Sequence, residues 1–257
     1  YVVSTLGRTG PTRQLYNLIK YLDCERFQAE VVTLSPNPTD NLQEAFMELG
    51  ISVYSLALSR FSTVIAGRGR LATVLKELQP DIIHSQGFRA DWLMSTIIDI
   101  RTRLVTQRNN PLEDYPSIMG QLKGTIAARL HYRALSRMPI IVACSYAISD
   151  SNARRGIPCQ VIHNGVDLAL TKSQLNQQEK TVGRIRLGLP EMGRLFLYAG
   201  PLIQRKNPEL LIRAFIGPER QRDSLVILGN GPMLSRCRQL AKGKVNIFLR
   251  GSVENVS

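Results

Sequence analysis

Short apolar runs alternate with longer stretches of helical spacing along most of this chain. That rhythm constrains the fold more than any single motif does. The runs are Val2–Ser4, Glu30–Leu34, Ser52–Leu56, Ile82–His84, Leu104–Gln107, Ile140–Ala143 and Gln160–His163. Each is short and apolar, as strands covered on both faces are. Helices are expected between them, at Thr12–Leu22, Asn41–Leu49, Arg70–Leu78, Ala90–Ile100, Ile118–Arg137 and Ile148–Arg155. Asp40 is placed to cap the second of these and Gly50 to end it. Strands separated by helices pair in parallel through crossovers, which predicts an α/β, doubly wound sheet.

A boundary is expected near Asp167, dividing the chain into domains 1–167 and 168–257. Leu168 to Lys180 is rich in Gln, Asn, Lys and Ser and reads as exposed connection, followed by a short helix at Val182–Leu187. A second strand–helix series gives strands at Leu195–Ala199, Leu225–Leu228 and Asn246–Leu249. A sheet so small has open edges, so the second domain is expected to be incomplete and the chain a fragment, clipped also before Tyr1.

The densest local pattern is FLYAGPLIQRKNPELLIRAF, Phe196 to Phe215. An apolar strand breaks at Gly200-Pro201, and the cations Arg205 and Lys206 follow. Asn207 then suits a helix cap, Pro208 the first helical position and Glu209 the positive end of the dipole. Such a strand, cationic loop and helix start suits a phosphate or diphosphate.

Upstream lies Val161-Ile-His-Asn-Gly-Val-Asp167 and downstream Val226-Ile-Leu-Gly-Asn-Gly-Pro232. In this order the three segments resemble the "IPNGVD", "GRLxxxKG/KN…LIxAF" and "VGDGP" segments of family 4 retaining glycosyltransferases. The resemblance implies the GT-B fold: two Rossmann-like domains, acceptor side first and nucleotide-sugar side second. It places Lys206 on the donor diphosphate. The family's arginine just after the glycine is replaced by Pro201, and Arg205 stands next to Lys206 as a substitute cation. Asn230 and Gly231 fall in the loop beside the nucleotide, where a plain turn is the alternative.

Further family likenesses lie in the first domain. Gly10 to Leu22 resembles "GGAER…LLNLAxxL", a loop beside the donor phosphates and the acceptor, with Pro11 in place of the second glycine. Pro80-Asp-Ile-Ile-His-Ser-Gln-Gly87 resembles "PDIVHxHG". His84 is expected at that strand's end, either facing the acceptor or packing the strand. Many family members carry a catalytically important histidine at about the position of Arg108. Here Arg108, Asn109 and Asn110 are cleft candidates for binding sugar hydroxyls or a phosphate. A guanidinium does not shuttle protons at working pH, so no catalytic residue is named. The family's paired glutamates are expected beyond Ser257, and this chain alone is expected to turn over little or nothing.

The charge balance, 33 Lys and Arg against 20 Asp and Glu, gives a formal +13 and favours polyanionic partners. The one Trp and the scattered Tyr do not interleave with the cations as in single-strand binders, so nucleic acid is not an expected partner. Cys24, Cys144, Cys159 and Cys237 are far apart, as are His84, His131 and His163. Reduced thiols, a cytoplasmic location, no cofactor and no metal are expected. Ser117 to Arg137 mixes Lys123, Arg129, Arg133 and Arg137 with Ile118, Leu122, Ile126, Leu130 and Leu135. It reads as a packing helix or as one that lies on the anionic inner face of a membrane.

The reading is transfer of a sugar, of hexosyltransferase type, from a nucleotide-diphosphate sugar to a hydroxyl acceptor. A lipid-linked or envelope glycan acceptor, in cell-envelope or exopolysaccharide synthesis, would suit the basic helix. The alternatives are a non-catalytic glycan- or partner-binding protein on the same scaffold and a nucleotide-sugar epimerase.

Overall fold

Alternation along the strands sorts the first part of the chain onto two faces of one sheet. Val2 and Val32 point into one apolar cluster, Val3 and Val31 into another, as a two-residue period requires. The computed structural model describes residues 1–97, 102–168, 175–220 and 222–253. The chain divides into two compact units, Tyr1–Val166 and Asp167–Ser257.

In the first unit the elements run β1 (Val2–Val3), α1 (Gly10–Lys20), β2 (Glu30–Thr33), α2 (Gln43–Glu48), β3 (Ser52–Ser55), α3 (Arg60–Leu78), β4 (Ile82–Gln86), α4 (Phe88–Thr96), β5 (Thr102–Gln107), α5 (Pro111–Met119), α6 (Gln121–Leu135), β6 (Ile140–Ala143), α7 (Tyr146–Ala153) and β7 (Gln160–Val161). The strands form a parallel sheet in the order β3-β2-β1-β4-β5-β6-β7. Helices α1 and α2 cover one face with Leu15, Ile19 and Phe46. Helices α3, α4 and α6 cover the other with Leu71, Leu75, Leu93, Met94, Tyr132 and Leu135. The order of travel across the sheet reverses between β1 and β4. The carboxyl ends of those strands frame the crevice where open α/β sheets bind ligands.

Several expectations are corrected. Asp40 caps no helix: its carboxylate accepts from Arg8 Nε at 2.6 Å, and Asn41 Oδ1 takes the Gln43 N–H instead. Helix α3 starts at Arg60, not Arg70, with the Ser59 side chain accepting from Ser62 N–H. Gly67 does not break it, because that glycine lets Leu93 of α4 approach: a Cβ there would lie 3.1 Å from a Leu93 methyl. The long helix expected at Ile118–Arg137 is two, split at Gly120, whose φ of 81° no helix accommodates. The helix expected at Ala90–Ile100 runs Phe88–Thr96, and residues 98–100 lie outside the described residues.

The second unit runs α8 (Gln177–Arg186), β8 (Arg194–Ala199), α9 (Pro208–Ala214), β9 (Asp223–Leu228), α10 (Leu234–Ala241) and β10 (Ile247–Gly251), with parallel strands ordered β10-β9-β8. Helix α8 begins inside the stretch read as exposed connection. Asn176 and Glu179 close a reciprocal capping box there, which lets a polar, fully exposed sequence start a helix. The core gathers Leu202, Ile212, Phe215, Leu225, Ile227, Cys237 and Ile247. At its edge the buried Asp223 carboxylate accepts two bonds from Arg194, at 2.8 and 2.9 Å, and one from Arg220 at 3.0 Å. The Arg194 and Arg220 hydrogen bonds hold that carboxyl below its ordinary pKa.

Candidate functional site

In the first unit the carboxyl edge of the sheet collects polar side chains from distant parts of the chain. Arg108 follows the last residue of β5. Its Nε donates to Gln86 Oε1, at the end of β4, at 3.2 Å, and its Nη1 donates to Asn164 Oδ1 beyond β7. Next to Asn164, the Gly165 carbonyl accepts from Gln14 Nε2 of α1 at 2.8 Å. Gln86 is buried, and its Nε2 has no hydrogen-bond partner. A buried amide donor left open is costly unless something fills it. Helices α1, α4 and α5 all start at this edge, and none has a side-chain cap bond, whereas Ser145 caps α7. Their first N–H groups are therefore left for solvent or an anion.

The candidate residues fare differently. Gly10 is the first residue of α1, and a Cβ there would meet no atom within 4 Å, so packing does not demand the glycine. Asn109 lies on the α5 side of Arg108, and its carbonyl accepts from Gln107 Nε2 at 3.0 Å. Its side chain hydrogen-bonds the Tyr115 hydroxyl, whose pKa burial raises. Asn110 is consumed by the fold, donating to Glu113 and accepting from Tyr132.

His84 is a correction. The strand runs on to Gln86, so His84 sits inside it, buried, with Nε2 2.7 Å from Thr106 Oγ1 and its ring 5.1 Å from that of Tyr1. Burial first, then the amino terminus and Arg108, push its pKa down to about 3. A histidine so held stays neutral and packs strands together. The residue that occupies the strand end is Gln86. A polar residue just before the glycine that ends a strand was the available signal for it. A cavity of about 470 Å³ lies at the opposite, amino-terminal edge, lined by Tyr1, Glu30, Pro80, Ile82 and His84 among others, and neither Gln86 nor Arg108 lines it.

Beneath the edge runs a buried polar chain. Ser85 Oγ donates to Asp91 Oδ1 (2.7 Å), Asp91 Oδ2 meets His131 Nε2 (2.9 Å), and His131 Nδ1 meets the Tyr115 hydroxyl (2.7 Å). The serine touches the aspartate rather than the histidine, so this is not a nucleophile–base arrangement. It ties β4, α4, α5 and α6 together.

In the second unit, Gly200 opens the loop after β8. Asn207 adopts a left-handed conformation (φ 44°) and its side chain accepts the Leu210 N–H. Arg205 and Lys206 sit exposed in a single 3₁₀ turn ahead of it. Among the described residues Lys206 has no carboxylate partner. The Gly229-Asn-Gly segment is more than a turn. Its backbone passes directly under the loop after β8, with Leu202 N–H donating to Asn230 O and Met233 N–H to Leu202 O. A Cβ on Gly229 would lie 1.9 Å from Gly200 O, and one on Gly231 2.4 Å from Leu202 O. Among the described residues no group of three His, Cys, Asp or Glu stands close enough to hold a metal.

Residues 8–170 match the model of Glycosyltransferase Family 4, which is most of the chain and includes Gly10, Gln86, Arg108 and Asn164. The chain belongs to glycosyltransferase family 4. It is 31% identical over 101 residues to a D-inositol 3-phosphate glycosyltransferase of Jonesia denitrificans, covering 37% of this chain and 23% of that protein. A D-inositol 3-phosphate glycosyltransferase of Nocardioides sp. is 40% identical over 55 residues, 21% of this chain and 11% of that one. The chain thus spans about a quarter or less of the curated relatives it matches. Among solved structures, Anabaena HepE in complex with UDP and glucose superposes with a TM-score of 0.72 at 15% identity, over 98% of this chain and 69% of that one. Sucrose-phosphate synthase from Thermosynechococcus elongatus gives 0.76 at 15% identity, over 98% and 70%. These likenesses establish the family 4 chain's fold as α/β of GT-B type.

Proposed function

We propose that this chain belongs to an enzyme that transfers a sugar, as a hexosyltransferase does, from a nucleotide-diphosphate sugar to a hydroxyl acceptor. A glycan of the cell envelope or an exopolysaccharide is the acceptor class that suits its charge. The observation that carries the reading is the family 4 match over residues 8–170, within which uncapped helix starts and an open Gln86 amide meet at one edge of the sheet. HepE, of the same fold, binds UDP and glucose, which supports a nucleotide sugar as donor here.

In this reading Arg108 and Asn109 orient the acceptor. Arg108 is already braced by Gln86 and Asn164, so little entropy is lost on binding. Gly10 leaves room at the start of α1 for a phosphate or hydroxyl to approach backbone N–H groups. Lys206, with Arg205 beside it, neutralises charge on the departing diphosphate from the second unit, beside the loop of Asn230 and Gly231. No metal is required for that step.

Calorimetric titration with UDP, GDP and ADP tests the donor side, with Lys206→Ala alongside. One diphosphate should bind, and the variant should bind it about 1–3 kcal/mol more weakly. Equal binding by both proteins removes Lys206 from the donor site. Absence of binding to all three overturns the reading for this chain.

A further inference from the structure

We infer that a buried hydrogen-bond chain fixes Asn109 as a hydrogen-bond acceptor, so that the site beside Arg108 takes a substrate hydroxyl that donates to Asn109 Oδ1. This rests on the reading that Arg108 and Asn109 meet the acceptor substrate, and it names the chemical group they meet.

The polar chain beneath the sheet edge has both of its ends at the site. It starts at Ser85, next to Gln86 in β4, and runs through Asp91 and His131 to Tyr115. The Tyr115 hydroxyl is bonded by the side chain of Asn109, next to Arg108. Gln86 and Arg108 in turn bond each other at 3.2 Å. The groups close a ring, with the site on one side and the core on the other. Ser85, Asp91 and His131 are shut off from water. Solvent does not reset the sense of those bonds, so the direction of one fixes the direction of the next.

The direction can be followed from both ends. As a carboxylate Asp91 only accepts, taking the Ser85 proton on Oδ1 and an N–H from His131 Nε2 on Oδ2. A ring with its proton on Nε2 offers a lone pair at Nδ1, and the Tyr115 hydroxyl, 2.7 Å away, donates to it. The Tyr115 oxygen is then left to accept. From the other end, burial raises the Tyr115 pKa and the Asn109 bond opposes it, which is the sign of an N–H given to the phenol oxygen. Asp114 and Tyr132 also act on Tyr115, through charge alone. The two ends agree: Asn109 spends its amide nitrogen on Tyr115 and turns its Oδ1 away. A doubly protonated His131 would reverse every later bond, and Asn109 would show its NH2 instead. His131 touches no ligand, so it is a positioning residue that sets which end of the Asn109 amide is shown.

Neighbouring groups narrow the substrate. Asn110 has nothing to offer, because its Oδ1 takes the Tyr132 hydroxyl at 2.9 Å and its Nδ2 is given to Glu113 at 2.6 Å. Asn109 is half-buried, and its Oδ1 accepts no bond among the described residues. Arg108 gives one N–H to Gln86 and one to Asn164, and a guanidinium has others to spare. An accepting oxygen beside unused cationic donors matches a pair of neighbouring hydroxyls. One hydroxyl donates to Asn109, and the oxygen of the other accepts from Arg108. A phosphate or carboxylate could meet Arg108 but brings no proton for Asn109.

The test is nitrogen-15 NMR of the histidine, asparagine and arginine side chains in the 257-residue chain. His84→Gln and His163→Gln serve to assign the rings. In the unaltered chain at neutral pH, His131 should carry one proton, on Nε2. A ring protonated on Nδ1, or on both nitrogens, overturns the proposal. Asn109→Asp replaces the donor by a carboxylate that only accepts. It should draw the Tyr115 proton towards residue 109 and drive the His131 ring to the doubly protonated form. A histidine that merely packs would not respond to a position it does not touch. Adding Tyr115→Phe to Asn109→Asp cuts the relay and should remove most of the response. A response of equal size in the double variant refutes the relay.

Methyl glucoside, a neutral polyol, probes the substrate class. It should shift the Asn109 amide and Arg108 Nε signals together. Tyr115→Phe frees the amide to turn and should weaken that binding roughly tenfold. Inorganic phosphate that shifts both signals while the glucoside shifts neither overturns the hydroxyl assignment. None of these signals reads sugar transfer or nucleotide binding. Failure of the donor reading in calorimetry is therefore seen separately from failure of the relay.

Discussion

The two units place their candidate groups by opposite means. At the sheet edge of the first, side chains hold side chains: Arg108 is braced between Gln86 and Asn164, and Gln14 reaches Gly165. In the second, backbone holds backbone: the loops after β8 and β9 are stitched through Gly200, Leu202, Gly229 and Gly231. Lys206 stands outside that stitching with no carboxylate partner among the described residues. A side-chain brace ties recognition to folding, because the groups that would meet ligand also carry local structure. A backbone stitch separates them, because the loops keep their shape whatever cation they display.

The strongest way to break the comparison is Gly229→Ala. Its methyl would collide with the Gly200 carbonyl, and its φ of 145° suits only glycine. A loss of about 3 kcal/mol or more is expected, confined to the second unit. Urea unfolding followed by far-ultraviolet dichroism should show it, while the fluorescence of Trp92, in the first unit, keeps its midpoint. A shifted Trp92 midpoint would mean that the damage is not local.

Acid probes the first unit. His84 has its folded pKa depressed to about 3 against an ordinary 6.5. Its neutral form is the one the fold accepts, so the contribution is complete above about pH 6.5 and is lost as pH falls towards 3. The loss should be on the order of a few kcal/mol. His84→Gln should flatten this acid limb in urea midpoints read at Trp92. An unchanged slope would show that His84 protonates freely in the folded chain.

Arg108→Ala should cost about 1–2 kcal/mol by leaving the Gln86 and Asn164 oxygens without their donor. Lys206→Ala should change stability by no more than about 0.5 kcal/mol, because nothing in the fold leans on it. Equal losses from the two substitutions would erase the distinction between braced and displayed cations.

Much of the fold was legible because strand and helix periods are local. The apolar runs became strands to within a residue or two, and Asn207, Pro208 and Glu209 took the cap and first-turn places expected of them. Single local signals gave way where packing or chemistry elsewhere overruled them. Gly67 sits mid-helix because Leu93 needs the space, and Asp40 serves Arg8 instead of a helix. The candidate site was legible only in part. Arg108 stood out by its residue type, but its partners lie 22 and 56 residues away along the chain, and no spacing announces such bonds. His84 drew attention because histidines do chemistry, yet depth in the sheet makes this one inert.

Helix α6 draws the line between the two sources of information. The sequence determined that one side would carry leucine and isoleucine among cations, because residues three and four apart share a helical face. It did not determine which side would be buried. That was decided by a backbone gap only Gly124 can fill and by Asp91, 40 residues away, waiting for His131. Periodicity defines faces, but only the surfaces of neighbouring elements decide which face is turned inward.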